Sequence, residues 1–157
     1  MDSAQKRNNL DTWNRKKKTL ATNAITRPNM YVSLQRKIYW INFGENIGFE
    51  LSDDVKNNRM HMGLVISKNK YNRSGTSIVA PITSGPCRNK KRILDCQLLL
   101  EKDKYDFLDK DCVVKFDQMR CVSTERIGNK KGFVDYKDWA KVEQKINTLF
   151  RMNVVDR

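Results

Sequence analysis

The sequence predicts a mainly β fold with some α: a small antiparallel barrel or half-barrel, a C-terminal helix, and a basic, partly helical N-terminal extension. Three observations carry that reading. Short apolar segments rich in β-branched and aromatic residues recur between positions 38 and 122, with no helical repeat between them. Near the end, apolar residues change to the spacing of a one-sided helix. A chain of 157 residues has room for one domain with a real core and too little for a second.

Taken in order, the first element is the extension. Lys and Arg total 31 against 18 Asp and Glu, a formal charge of +13, which points to a polyanionic partner. Residues 1–37 hold nine basic and two acidic side chains, so this segment is much denser in charge than the rest. Leu10, Trp13, Leu20 and Ala24 set a thin apolar stripe on a helix over about 3–23, with the basic run 15–18 on the solvated side. Pro28 lacks an N–H and pushes Arg27 to extended geometry, so a linker follows and ends near Met30. The chain divides at 1–36 and 37–157.

The strands come next, at 38–43, 63–67, 76–82, 93–100, 112–116 and 120–122, and five or six such strands without helices between them make an antiparallel barrel or half-barrel. Asp135 can then cap a helix running to about Arg151, with Trp139, Val142, Ile146, Leu149 and Phe150 on one face against the sheet. Two connections exceed what a compact barrel needs. The polar stretch 44–60 is a candidate lid. The stretch 85–92 opens with turn residues and carries four cations in five positions, which suits either a phosphate-contacting loop or a solvated charged turn.

Several classes are excluded. The apolar runs fall far short of the ~20 residues that cross a bilayer, and no apolar stretch follows the N-terminus, so a cytoplasmic protein without membrane partners is expected. The cysteines 87, 96, 112 and 121 form no Cys-x-x-Cys pair, and His61 is the single histidine, so no zinc finger and no catalytic metal or other cofactor is expected. The thiols read as reduced.

Four segments together carry a family likeness: 38–50 (Ile-Tyr-Trp-Ile-Asn-Phe-Gly-Glu-Asn-Ile-Gly-Phe-Glu), 63–67 (Gly-Leu-Val-Ile-Ser), 78–84 (Ile-Val-Ala-Pro-Ile-Thr-Ser) and 113–123 (Val-Val-Lys-Phe-Asp-Gln-Met-Arg-Cys-Val-Ser). In order and spacing they resemble the motifs of the MazF/PemK toxins, over residues 37 to about 153. The resemblance implies an SH3-like barrel, a homodimer, metal-free and sequence-selective cleavage of single-stranded RNA, and a cognate antitoxin, in all expectation an acidic protein. It carries the family's catalytic threonine onto Thr83 and the adjoining serine onto Ser84. Asp117 falls on an acidic position tied to catalysis or substrate contact, and Lys115 stands where relatives have arginine. The family's catalytic Arg-Pro pair is replaced by His61-Met62, its Gly-Asp before the first strand reads Arg36-Lys37, and residues 1–36 lie outside the likeness.

Chemistry supports the same residues. RNA scission by the substrate's own 2′-hydroxyl needs proton transfer and stabilisation of a phosphorane carrying extra negative charge. An imidazole, with an ordinary pKa of ~6.5, exchanges protons near neutrality, so His61 is the candidate acid or base. Thr83 and Ser84 can donate hydrogen bonds to phosphate oxygens. Arg73, Arg88, Lys115 and Arg120 are candidate RNA ligands. Each has a plainer reading: a sheet-edge histidine, a turn start at Thr83-Ser84, a strand-to-loop tie at Asp117, an ion-pair partner at Arg120. Tyr39, Trp40 and Phe43 read as core or dimer interface ahead of base stacking. Two other functions sit on the same fold. One is a non-catalytic binder, either of RNA or of topoisomerase as in the gyrase-targeting toxins. The other is a ToxN-like toxin held by an RNA, against which residues 42–50 and 117–120 favour a protein antitoxin.

Overall fold

The structure, a computed structural model, describes residues 2–26, 32–84 and 93–150. Seven antiparallel strands form one sheet: β1 (Lys37–Ile41), β2 (His61–Val65), β3 (Thr76–Thr83), β4 (Gln97–Leu100), β5 (Cys112–Lys115), β6 (Arg120–Ser123) and β7 (Ile127–Phe133). The order is β4-β5-β3-β2-β1-β7, with β6 also paired to β3. Among the described residues no pairing joins the two ends, so the sheet is an open half-barrel rather than a closed one.

β3 organises it. Its residues 76–79 pair with β6, and Ile82 and Thr83 pair with β5. Ala80 and Pro81 lie where that neighbour changes, so a proline sits inside a central strand without interrupting either ladder on that edge. On its other edge β3 pairs with β2 through Met62↔Ile82 to Val65↔Val79.

Both faces of the central strands are covered, which is why their sequences read as near-continuous apolar runs instead of alternating ones. Ile38, Leu64, Ala80 and Ile82 join Leu98, Leu100, Val114 and Val142 in one cluster. Their neighbours Tyr39, Ile41, Phe43, Val65 and Val79 join Val122 and Ile127 in a second, on the opposite face. The first is roofed by α3 (Tyr136–Phe150), whose start matches the expected cap: Asp138 N donates to Asp135 Oδ1 at 2.8 Å. Val142 is buried and Trp139, Ile146 and Leu149 pack beside it, while Phe150 lies exposed, one residue off the stripe. Behind the cap, the buried Asp138 carboxylate accepts from Tyr105 Oη at 2.7 Å and pairs with Lys104 and Lys141 at 2.8 Å each. Burial would raise this carboxyl, but those three partners outweigh it and hold it at about 2.

Three sequence expectations shift. β7 (Ile-Gly-Asn-Lys-Lys-Gly-Phe) was not foreseen, because it has neither alternation nor an apolar run; β1 holds it through a bulged ladder. Residues 93–96 are not strand, a turn from Gln97 N to Leu94 O taking their place. The second strand begins at His61, two residues earlier than its apolar core. The basic stretch 85–92 lies outside the described residues.

The N-terminal helix, α1 (Ser3–Thr26), runs three residues beyond its expected end and is docked on the 42–60 loop and the turn before β7. One side chain, Trp13, is buried. Its indole lies against Gly44, where a Cβ would come within 2.0 Å of the ring, and the Arg126 guanidinium sits 5.1 Å from the ring centroid. Gly44 has φ +83°, so glycine is required there twice over, by backbone conformation and by the indole. Polar contacts extend the seam: Lys6 pairs with the buried Glu45, Asn9 Nδ2 donates to Glu45 at 3.0 Å, and Lys16 Nζ donates to Asn58 Oδ1 at 2.8 Å. Lys16 therefore belongs to the docking face and not to the solvated one, and Ala24 is exposed. Among the described residues no helix is long and apolar enough to cross a membrane.

Candidate functional site

β1 and β2 are joined by residues 42–60, which fold as an anchored loop. Asp53 ties its two ends together. Its Oδ2 accepts Gly44 N–H at 2.6 Å, its Oδ1 accepts His61 N–H at 3.1 Å, and its own N–H returns to Gly44 O at 2.8 Å. Burial pushes the Asp53 carboxyl up, against the lowering effect of those two N–H bonds and of the His61 and Lys16 charges. A second anchor holds the tip: Gln118 Oε1 accepts Leu51 N–H at 2.7 Å, and Gln118 Nε2 donates to Phe49 O at 3.1 Å. Beyond that clamp Phe49 and Ile47 are exposed.

Asp53 thus fixes where β2 begins, and His61 is its first residue. His61 pairs with Ile41 on one side. On the other, one further step of the Met62↔Ile82 register sets it across from Thr83, the last residue of β3. Because alternate residues share a face of a strand, Thr83 lies on the His61 side and Ser84 on the Met62 side. Ser84 lines a cleft of about 160 Å³ together with Trp40, Met62, Phe107 and Lys131, and His61 stands at its edge. The structure therefore joins His61, Thr83 and Ser84 at one end of the β2–β3 hairpin.

The surroundings are cationic. The Arg120 guanidinium lies 5.5 Å from the centroid of the buried Phe43 ring. Arg126, half-buried, aims Nη1 at the Asn42 and Phe43 carbonyls at 3.5 and 3.4 Å. Burial and then the Arg120 charge push the Arg126 guanidinium down from its ordinary value, with Asp53 pulling it back. Asp53 thus interacts electrostatically with both His61 and Arg126, and Arg126 with Arg120.

The other expected residues lie apart from His61. Asp117, Gln118 and Arg120 line a larger groove of about 540 Å³ under Phe49. There Asp117 accepts from Gln97 Nε2 at 2.6 Å and faces Lys115 Nζ at 3.8 Å, so these two charges address each other. Arg73 closes the short helix α2 (Asn69–Asn72) at the opposite end of the hairpin, ~23 Å of strand from Thr83. Arg88 lies outside the described residues. Sequence reasoning missed Asp53 and Arg126, which act across sequence gaps that no local pattern records. Tyr39 and Phe43 are core, as read, while Trp40 opens onto the cleft. Among the described residues no three His, Cys, Asp or Glu side chains come together to hold a metal ion.

The described residues thus form an open antiparallel half-barrel with a C-terminal helix, its central hairpin ending at His61, Thr83 and Ser84. Residues 34–150 match the family described as PemK-like, MazF-like toxin of type II toxin–antitoxin system, and the chain belongs to that family. α1 lies outside the match. Among solved structures, the chain is similar to MazF from Deinococcus radiodurans, with 22% identity and a TM-score of 0.60 over 78% of this chain and 99% of that one. It is likewise similar to the Mycobacterium tuberculosis toxin MazF-mt6, with 16% identity and a TM-score of 0.57 over 75% of this chain and 99% of that one. A third likeness is to an endoribonuclease in complex with its cognate antitoxin from a mycobacterial species, at 16% identity and a TM-score of 0.55 over 76% and 96%. Compared by sequence with curated proteins, the chain matches none.

Proposed function

We propose that this toxin is a metal-independent endoribonuclease that cuts single-stranded RNA at short sequences, works as a homodimer in the cytoplasm, and is restrained by a protein antitoxin. The observation that carries the reading is the register of β2 and β3, which sets His61 across from Thr83, with Asp53 holding the His61 N–H. The naming of one structural neighbour as an endoribonuclease with its antitoxin is in keeping with it.

In this mechanism the substrate's 2′-hydroxyl oxygen attacks the adjacent phosphorus and releases its proton to water. The P–O5′ bond breaks, and the leaving 5′-oxygen takes a proton from the His61 imidazolium. The Thr83 hydroxyl and the arginines stabilise the phosphorane's added charge, and Ser84 contacts the RNA from the neighbouring cleft. A guanidinium at the same place offers charge and hydrogen bonds without proton transfer, which is the chemical difference that His61 introduces. Asp53 positions His61 through the backbone.

The test is a single-turnover pH profile of wild type, His61→Ala and His61→Arg on one RNA in excess EDTA. Wild type should leave a 2′,3′-cyclic phosphate and a 5′-hydroxyl and lose rate as the imidazolium deprotonates. His61→Ala should be slower by ~10²-fold or more with RNA binding little changed. His61→Arg should recover part of the rate and lose the alkaline fall. A requirement for divalent metal, 3′-hydroxyl products or a fully active His61→Ala overturns the proposal.

A further inference from the structure

A groove of about 270 Å³ lies between α1 and the turn at 54–59. Thr12 and Lys16 line it from the helix; Lys56, Asn58 and Arg59 line it from the turn; Asp53 forms its floor. Lys56 and Arg59 are exposed. Lys16 is steered into place by Asn58 Oδ1, a single acceptor that leaves two of its three N–H donors available. Asp54, in the same turn, accepts from Asn57 N and Nδ2 at 3.3 and 2.8 Å, and these bonds, with the Arg59 and Lys56 charges, hold its carboxyl below the usual range. The floor carboxylate is screened by the two backbone N–H groups it accepts.

Three cations lining one groove is an arrangement for an anionic chain. Its position makes the ligand specific, because Asp53 is shared: the carboxylate at the floor is the one that holds His61 N–H. Whatever lies along the groove arrives at the end of the hairpin where His61 meets Thr83.

We infer that this groove binds the sugar-phosphate backbone of the RNA flanking the cleaved bond, so that α1, which the family match omits, is part of the substrate-binding surface. The inference rests on the endoribonuclease reading above.

The test compares wild type with Lys16→Gln/Lys56→Gln/Arg59→Gln and with a control that loses equal charge elsewhere, Lys102→Gln/Lys130→Gln/Lys137→Gln. The probe is a single-stranded RNA about 20 nucleotides long carrying 2′-O-methyl groups throughout, so that it binds without being cut. Affinity is measured between 50 and 300 mM salt, with thermal unfolding recorded to show that all three proteins fold. Each phosphate contact to a single strand contributes ~0.7 to the slope of log affinity against log salt, so the groove variant should lose about 2 from that slope and the control variant almost nothing. Equal slopes for wild type and the groove variant overturn the inference while leaving the endoribonuclease reading intact. A groove variant that keeps its RNA slope but loses affinity for polyglutamate assigns the groove to an acidic protein and overturns it as well. Absence of any binding to single-stranded RNA by wild type overturns the endoribonuclease reading, and this inference falls with it.

Discussion

The seat of Trp13 on Gly44 makes a stability prediction that can be worked through. Gly44→Ala imposes two separate penalties. An L-residue at φ +83° sits in the left-handed region, at a cost of about 1–2 kcal/mol. The new Cβ would also stand 2.0, 2.4 and 2.5 Å from three ring atoms of Trp13, where ordinary carbon contacts are ~3.5–4.0 Å. A rigid bicyclic ring cannot fold a tip away, so the indole leaves its seat. That forfeits about 3 kcal/mol of aromatic burial and roughly 0.5–1 kcal/mol of the cation–π contact with Arg126. Gly44→Ala should therefore destabilise by about 5 kcal/mol and Trp13→Ala by about 3–4 kcal/mol. With the indole already gone, only the backbone penalty of Gly44→Ala remains. The double variant should be about 5 kcal/mol less stable than wild type, so the two costs fall short of additivity by about 3 kcal/mol. Urea unfolding followed by far-ultraviolet circular dichroism measures all four corners of the cycle. Additive costs, within ~0.5 kcal/mol, would refute the reasoning and place Trp13 elsewhere.

Two further predictions concern the elements around the site. Asp138 is held at about 2 in the folded protein, below its ordinary value of 3.8, so its contribution is full above pH ~4 and disappears as pH falls toward 2. That contribution is about 2 kcal/mol; Asp138→Asn should be less stable at pH 7 and should lack this acid-labile component, and parallel stability curves for the two proteins across pH 2–4 would contradict it. Gln118→Ala removes the clamp on the loop tip, worth ~1 kcal/mol for the bond to Leu51 N–H, so amide exchange at Leu51 should accelerate about fivefold with β2 and β3 unaffected. Unchanged exchange at Leu51 would mean that the loop is held by other contacts.

Elements whose signal is local were legible in the sequence. α3 announced itself through Asp135 as cap and through the spacing of Trp139, Val142, Ile146 and Leu149, all of which lie within one helix. Strands buried on both faces stood out as apolar runs, but their register did not. The meeting of His61 with Thr83 depends on the pairing of β2 with β3, and it could be expected only through the resemblance to toxin motifs. β7 was invisible because its stability comes from β1 and not from its own Gly- and Lys-rich composition. Asp53 looked like one of four acidic residues in a polar loop. Its importance arises from Gly44 and His61 reaching it from opposite ends of that loop, a relation that no periodicity encodes.

The docking of α1 also bears on when the protein becomes complete during its synthesis. The helix leaves the ribosome before the residues it rests on, and it buries a single side chain, which lies against Gly44 and Arg126. Isolated polar helices are marginal in water, so the segment gains a stable place only after the last of those contacts has been translated. This helix is thereby among the last elements to settle. Because α1 props the loop that carries Asp53, a nascent chain shorter than about β6 has strands β1–β3 and His61 in hand but no finished centre around them.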